Sequence, residues 1–247
     1  MHPVLNLILT HQSRQAVSRM LDYWGDYAAP ENILLGYGGP GSEFEAIAHP
    51  QKFLVDDPRL RTRDHQREFQ SYTRLFRGAA DFMRQAGSEA EFIHFAEYDH
   101  LPLVPDLNAR QLDRLKTEHA DVLAFHLHRV DGTSNPHFLY HTSDPRFGAH
   151  WQEISRRKDK NVVLSMFGSG SFWSRGAFFA VAAQAEPFPM YLELYLPTLA
   201  HHLGFRVRDF AEQDRFVQVL QDATGQIQPA RAEGAWTLHP VKRLWTE

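Results

Sequence analysis

Uninterrupted apolar runs alternate along the chain with stretches in which apolar residues return every three or four positions. Val4-Leu-Asn-Leu-Ile-Leu-Thr10 predicts a strand buried on both faces. Ser13 is placed to cap a helix that carries Ala16, Val17, Met20, Leu21 and Trp24 at helical spacing, with Pro30 beyond it. Asn32-Ile-Leu-Leu-Gly36 predicts the second strand and Lys52-Phe-Leu-Val-Asp56 the third. A β-α-β opening with apolar strands implies a parallel sheet with a right-handed crossover. Asp64 is a candidate cap for a long helix to about Gln85, with Phe69, Tyr72, Leu75, Phe76, Ala79, Phe82 and Met83 as its apolar stripe and Gly87 as its stop.

The stretch around which the rest is organised is Phe92-Ile-His-Phe-Ala-Glu97-Tyr98-Asp99. It begins as a buried strand and ends in two acids that strand alternation turns to the same side. Paired carboxylates at the end of a central strand suit Mg²⁺ or Mn²⁺ shared with the phosphates of a nucleotide, and a strand end with two solvated acids is the plainer alternative. Leu107 to His119 predicts a helix and Ala120 to His128 a strand near the sheet edge. From Arg129 to Asn161 Pro, His, Gly and Asp are frequent and only Phe138-Leu-Tyr-His141 looks strand-like, so the segment is expected to wall a substrate site. Asn161 to Phe167 predicts a further strand running into the loop Gly168-Ser-Gly-Ser-Phe-Trp-Ser-Arg-Gly176. Helices over Ala177–Gln184 and Tyr191–Leu203 and a strand over Phe205–Phe210 follow. The end of the chain, from Ala235 to Trp245, is aromatic and basic, unlike a disordered tail.

Composition narrows the chemistry. The 247 residues have no cysteine, which removes disulfides, thiolate nucleophiles and zinc–thiolate sites. The net charge of −4 comes without a basic block, so a nucleic-acid partner is not expected. Val4 to Leu9 is too short for a signal segment and no stretch approaches the roughly 20 apolar residues of a membrane helix; a cytoplasmic protein is expected. Gly36-Tyr-Gly38-Gly-Pro-Gly41 fits the dinucleotide pattern G-x-G-x-x-G, but Pro40 interrupts the turn. The apolar segment after it is short, and Asp56 and Asp57 come earlier than the ribose-binding acid expected about 20 residues on, so it reads as a loop for close backbone turning. Among the 15 histidines His126/His128 and His201/His202 stand closest in sequence, without the helix-borne acid of a metal hydrolase.

In this order the parts resemble the GT-A class of nucleotide-sugar glycosyltransferases. Glu97-Tyr98-Asp99 matches that class's acidic metal motif in E-x-D form. Gly168-Ser-Gly-Ser with Ser174-Arg175 resembles its acceptor-side loop, Glu193 stands where its acidic helix residue does, and His239-Pro-Val-Lys242 resembles its late His and Lys. The resemblance implies an α/β fold with a Rossmann-like, mostly parallel sheet flanked by helices and an irregular C-terminal half. It implies a single unit over 1–247, with a nucleotide-binding half over 1–103 and an acceptor-side half over 104–247. It further implies Mn²⁺ or Mg²⁺ held by Asp99, Glu97 and His239, a diphosphate met by Lys242, and a general base at Glu193. Acceptor or sugar contacts fall to Ser169, Gly170, Ser171 and Trp173. The donor would be a nucleotide sugar and the acceptor a hydroxyl compound, with inversion if Glu193 is the base.

Two other functions fit the same parts. A sugar-nucleotide nucleotidyltransferase would carry a glycine-rich, basic loop after the first strand, whereas Thr10-His-Gln-Ser-Arg14 has no glycine. A non-catalytic nucleotide- or carbohydrate-binding protein would fit a metal motif whose first acid is Glu.

Overall fold

A computed structural model describes residues 4–57, 60 and 72–245. Its centre is a seven-stranded sheet of order β10-β6-β9-β4-β1-β2-β3. The strands are β1 (Val4–Thr10), β2 (Ile33–Tyr37), β3 (Lys52–Leu54), β4 (Phe92–Glu97), β6 (Val122–Ala124), β9 (Ser171–Ser174) and β10 (Val207–Asp209). β1 pairs parallel with β2 and β4, β2 with β3 and β6 with β10; β9 alone runs antiparallel, between β4 and β6. The fold is therefore a Rossmann-like, mostly parallel α/β sheet.

Two layers of helices cover it because the strands are apolar on both faces. Leu5, Leu7, Leu9, Ile93 and Phe95 face α3 (Thr73–Gln85), α7 (Arg175–Ala182) and α8 (Leu192–His202). Ile8, Ile33, Leu35 and Ala96 face α1 (Arg14–Trp24) and the last residues, among them Leu238, Val241 and Trp245. Ser13 caps α1 by accepting the Ala16 N–H at 3.4 Å, as its position predicts. The stripe on α3 is the expected one from Tyr72 onward, with Phe76 stacked on Phe178 at 4.5 Å and edge-on to Trp173 at 5.3 Å. The expected cap Asp64 and the stripe residue Phe69 lie outside the described residues. Gly36 is packed so closely that a Cβ would overlap Leu75, which accounts for one glycine of the Gly36–Gly41 loop. The helix behind that loop, α2 (Gly41–Ala46), has only six residues.

The structure corrects three expectations. The loop expected over Gly168–Gly176 contains β9, because Ser171-Phe-Trp-Ser174 finds ladder partners on both sides, His94 against Phe172 on one and Leu123 against Phe172 on the other. Phe138 to His141 is helical. It lies in α5 (Pro136–Thr142), started by Pro136 and by Asn135, whose side chain accepts the Phe138 N–H at 3.0 Å. A second helix, α6 (Pro145–Ile154), begins in the same way at Asp144 and Pro145. The strand expected over Asn161–Phe167 shrinks to β8 (Leu164–Ser165), which pairs with β7 (His128–Arg129).

After β4 the chain turns through Tyr98 and Asp99 into β5 (Leu101–Pro102), then α4 (Leu107–Thr117). β5 belongs to a small sheet with β11 (Phe216–Gln218) and β12 (Thr237–His239); a short helix, α9 (Ile227–Ala232), precedes β12. This small sheet carries the C-terminal residues back over the acidic turn.

Candidate functional site

The parallel strands β1 and β4 are adjacent, and the chain leaves them in opposite directions: toward β2 on one side, toward β9 and β6 on the other. Open α/β sheets bind ligands outside the carboxyl ends of strands at such a point. Glu97 is the last residue of β4, in register with Leu9 of β1, so it stands at that crevice. Its side chain emerges with those of Ile93 and Phe95 on the side of α3 and α8.

Asp99 is not on the strand but in the turn after it, and the C-terminal residues fix that turn. The Val241 N–H donates to the Asp99 carbonyl at 2.8 Å and the Trp245 indole N–H to the Tyr98 carbonyl at 2.9 Å. Antiparallel pairing of β12 with β5 then sets His239 beside Asp99, with Nε2 3.4 Å from Oδ1. One ligand atom each from Glu97, Asp99 and His239 lies within 4.8 Å of the others. Lys242 follows on an exposed side chain with Nζ 3.9 Å from Asp99 Oδ2. Its backbone N–H donates to Asp222 Oδ1 at 2.6 Å, which ties the segment down. The Glu97–Asp99 and His239–Lys242 pairs, distant in sequence, are therefore one cluster.

A cavity of about 280 Å³ opens beside this cluster, with Tyr72, Glu97, Ser169, Tyr191, Glu193 and His239 in its wall. Glu193 lies in the first turn of α8 and accepts the Gly168 N–H at 3.3 Å. Burial, with help from the charge of Glu97, pushes its carboxyl up to about 7. Glu97 is also held above the ordinary carboxylate range, first by burial and then by the negative charge of Asp99. The Glu97 N–H donates to Ser169 Oγ at 2.9 Å, and the same oxygen lies 3.1 Å from Nδ1 of the fully buried His100. Tyr72 donates its hydroxyl to Glu97 Oε1.

The other residues expected at an acceptor site divide. Ser169 borders the cavity. Gly170 supports it from behind, in the left-handed region at φ 84°, where a Cβ would overlap the His100 ring. Ser171 and Trp173 are wholly buried in β9, with the Trp173 indole N–H donating to Ser171 Oγ at 2.8 Å, so Trp173 offers no face to a sugar. The segment 129–161 contributes nothing to the cavity wall; it sits one step back, where His141 Nε2 accepts the Tyr191 N–H at 3.0 Å and His137 stacks on Tyr191 at 4.1 Å. Tyr72, Tyr191 and His100 carry no motif; only the position of His100 directly after Asp99 marks it. Gly170→Ala combines positive-φ strain with the overlap and should lower stability by about 2 kcal/mol or more, read from the urea midpoint.

No protein-family model and no curated protein matches this chain. Solved structures with a similar chain path include a mannosyltransferase from Pyrobaculum calidifontis in complex with GDP-Man and Mn²⁺. It is 11% identical over 86% of this chain at a TM-score of 0.46, and this chain spans 57% of its length. A protein of Mycobacterium tuberculosis H37Rv is 12% identical at a TM-score of 0.44, covering 85% of this chain and 87% of its own. The CMP:2-keto-3-deoxy-manno-octonic acid synthetase complexed with CTP is 14% identical at 0.41, covering 84% and 88%. Overlap of this order says nothing about chemistry, which rests on the side chains themselves. Among the described residues no helix is long and apolar enough to cross a membrane.

Proposed function

We propose that the chain is a glycosyltransferase that moves a sugar from a nucleotide-diphosphate donor to an acceptor hydroxyl. The observation that carries this reading is the convergence of Glu97, Asp99 and His239 at the carboxyl edge of the parallel sheet, with Glu193 in the wall of the same cavity. Two carboxylates and one imidazole within 4.8 Å are a donor set that fits Mn²⁺, and Mg²⁺ less closely because of the nitrogen. Such a cation, when bound, supplies charge stabilisation to a diphosphate leaving group.

The chain's own residues supply the rest. Lys242 stands beside Asp99 as an exposed point charge for a phosphate oxygen. Glu193, with a carboxyl poised near neutrality, takes the proton of the acceptor hydroxyl, which implies an inverting transfer. Ser169 borders the cavity and holds the Glu97 backbone in place through its hydroxyl oxygen. The aromatic rings of Tyr72 and Tyr191 close the wall and limit water around Glu193.

The test is a thermal-shift screen of UDP, GDP, CDP and ADP with and without Mn²⁺. A ligand at about 1,000 times its dissociation constant stabilises by roughly 4 kcal/mol, a shift of several degrees. One nucleoside diphosphate is expected to raise the midpoint only when Mn²⁺ is present. No shift with any of the four would sink the metal–diphosphate reading.

A further inference from the structure

Glu97 is gripped at both its backbone and its carboxylate, and the second grip comes from a residue that carries no motif. The backbone N–H is held by Ser169 Oγ. The carboxylate oxygen Oε1 accepts the hydroxyl of Tyr72, the residue immediately before α3. Tyr72 is 6% exposed, and its ring stands edge-on to Phe95 at 5.7 Å. Phe95 precedes Glu97 by two positions on the same face of β4, so ring and hydroxyl follow that face from the core to the carboxylate.

The backbone of Tyr72 is equally constrained. It sits at φ 58°, ψ 12°, a left-handed conformation that is uncommon for a bulky residue. Its carbonyl accepts the Phe76 N–H at 2.9 Å, which anchors it to the first turn of α3. A side chain fixed at ring, backbone and hydroxyl has little freedom left, and it transmits that rigidity to the one group it bonds.

We infer that Tyr72 is a positioning residue of the cation site: its hydroxyl fixes the Glu97 carboxylate and occupies Oε1, leaving Oε2 as the oxygen turned to a divalent cation. A long carboxylate side chain without that bond would sample several rotamers, and each would have to be frozen again on binding. Hydrogen-bond partners of metal-binding side chains commonly account for 10- to 100-fold in affinity. The inference rests on the reading of Glu97, Asp99 and His239 as a cation site.

The experiment titrates Mn²⁺ into the full chain and follows the free ion by electron paramagnetic resonance, for the native sequence, Tyr72→Phe, Glu97→Ala and the double variant. Tyr72→Phe removes one oxygen and keeps the ring. It is expected to weaken Mn²⁺ binding about 10- to 100-fold, and the double variant should bind no more weakly than Glu97→Ala alone. Unchanged affinity in Tyr72→Phe, or losses that multiply in the double variant, would overturn the role of Tyr72. A native chain that binds no Mn²⁺ gives a different result, and sinks the cation site together with the inference drawn from it. The cycle reads coupling rather than stability, so it decides at any temperature at which the variants are folded.

Discussion

Asp99→Ala is expected to abolish Mn²⁺-dependent binding of a nucleoside diphosphate and to lower turnover by about 10³-fold or more, roughly 4 kcal/mol of transition-state stabilisation. Asp99 is the member of the cluster that touches the other parts directly, with His239 at 3.4 Å and Lys242 at 3.9 Å. Its side chain is only 7% exposed, so it is held in place within the cluster. Alanine keeps the backbone carbonyl that receives the Val241 N–H, and the turn should persist. The substitution also removes the charge that helps hold Glu97 above its ordinary range, so Glu97 should ionise more readily in the variant. Calorimetric titration with and without Mn²⁺ reads the outcome. Binding that stays metal-dependent in Asp99→Ala would show that Asp99 is a structural acid of the turn.

The second large effect is on the proton. Glu193→Gln keeps the shape and the acceptor oxygen for the Gly168 N–H at 3.3 Å but cannot take a proton. Turnover should fall about 10²- to 10⁴-fold, with nucleotide affinity changed only a few-fold. A base must be ionised to act, so the rate of the native chain should rise with pH through about 7. That limb should vanish in the variant.

The same carboxyl leaves a mark on stability. Its folded value of about 7 lies above the ordinary value of 4.5 for this side chain, so folding favours the neutral form. Its contribution is present in full below pH 4.5 and is lost as pH rises through about 7. Glu193→Gln should therefore be more stable than the native chain at pH 8, by about 1–3 kcal/mol, and close to it at pH 4 in urea unfolding. Native rates in Glu193→Gln would remove it from the chemistry, and equal stabilities at pH 8 would mean its burial imposes no cost.

The first half of the fold is legible because it is local. β1, α1, β2 and β4 each declare themselves by an apolar run or by helical spacing, and parallel pairing follows from their order. Glu97 and Asp99 are legible as a pair, although for an incomplete reason. They do not meet by strand alternation, because Asp99 has left the strand; they meet because Val241 and Trp245 bind the turn from the far end of the chain. That closure is long-range, and only the likeness of His239-Pro-Val-Lys242 to a known pattern hinted at it.

Where the reading failed, partners distant in sequence decided the outcome. Ser171-Phe-Trp-Ser174 lies among glycines and serines and reads as a loop, yet two waiting strands convert it to β9 and take Trp173 into the core. The helices α5 and α6 had local signals that composition obscured: Asn135-Pro136 and Asp144-Pro145 are each a cap followed by a first-turn proline. Tyr72 fits the stripe of α3 as one more apolar position, and nothing in that periodicity reveals that its hydroxyl reaches Glu97.

The antiparallel strand β9 also sets an order of events during synthesis. The block β3-β2-β1-β4 is complete once Glu97 has been made, but the far side of β4 has no partner until Ser171–Ser174 arrives. Throughout that interval Ile93 and Phe95 sit on an open, apolar sheet edge, the surface through which nascent and truncated chains stick to one another. β6 and β10 cannot cover it, because they join the sheet only through β9. A strand of four residues thus serves as the clasp between two parts of the sheet made at different times, and a chain cut short before it would carry the β3-β2-β1-β4 block with an adhesive flank.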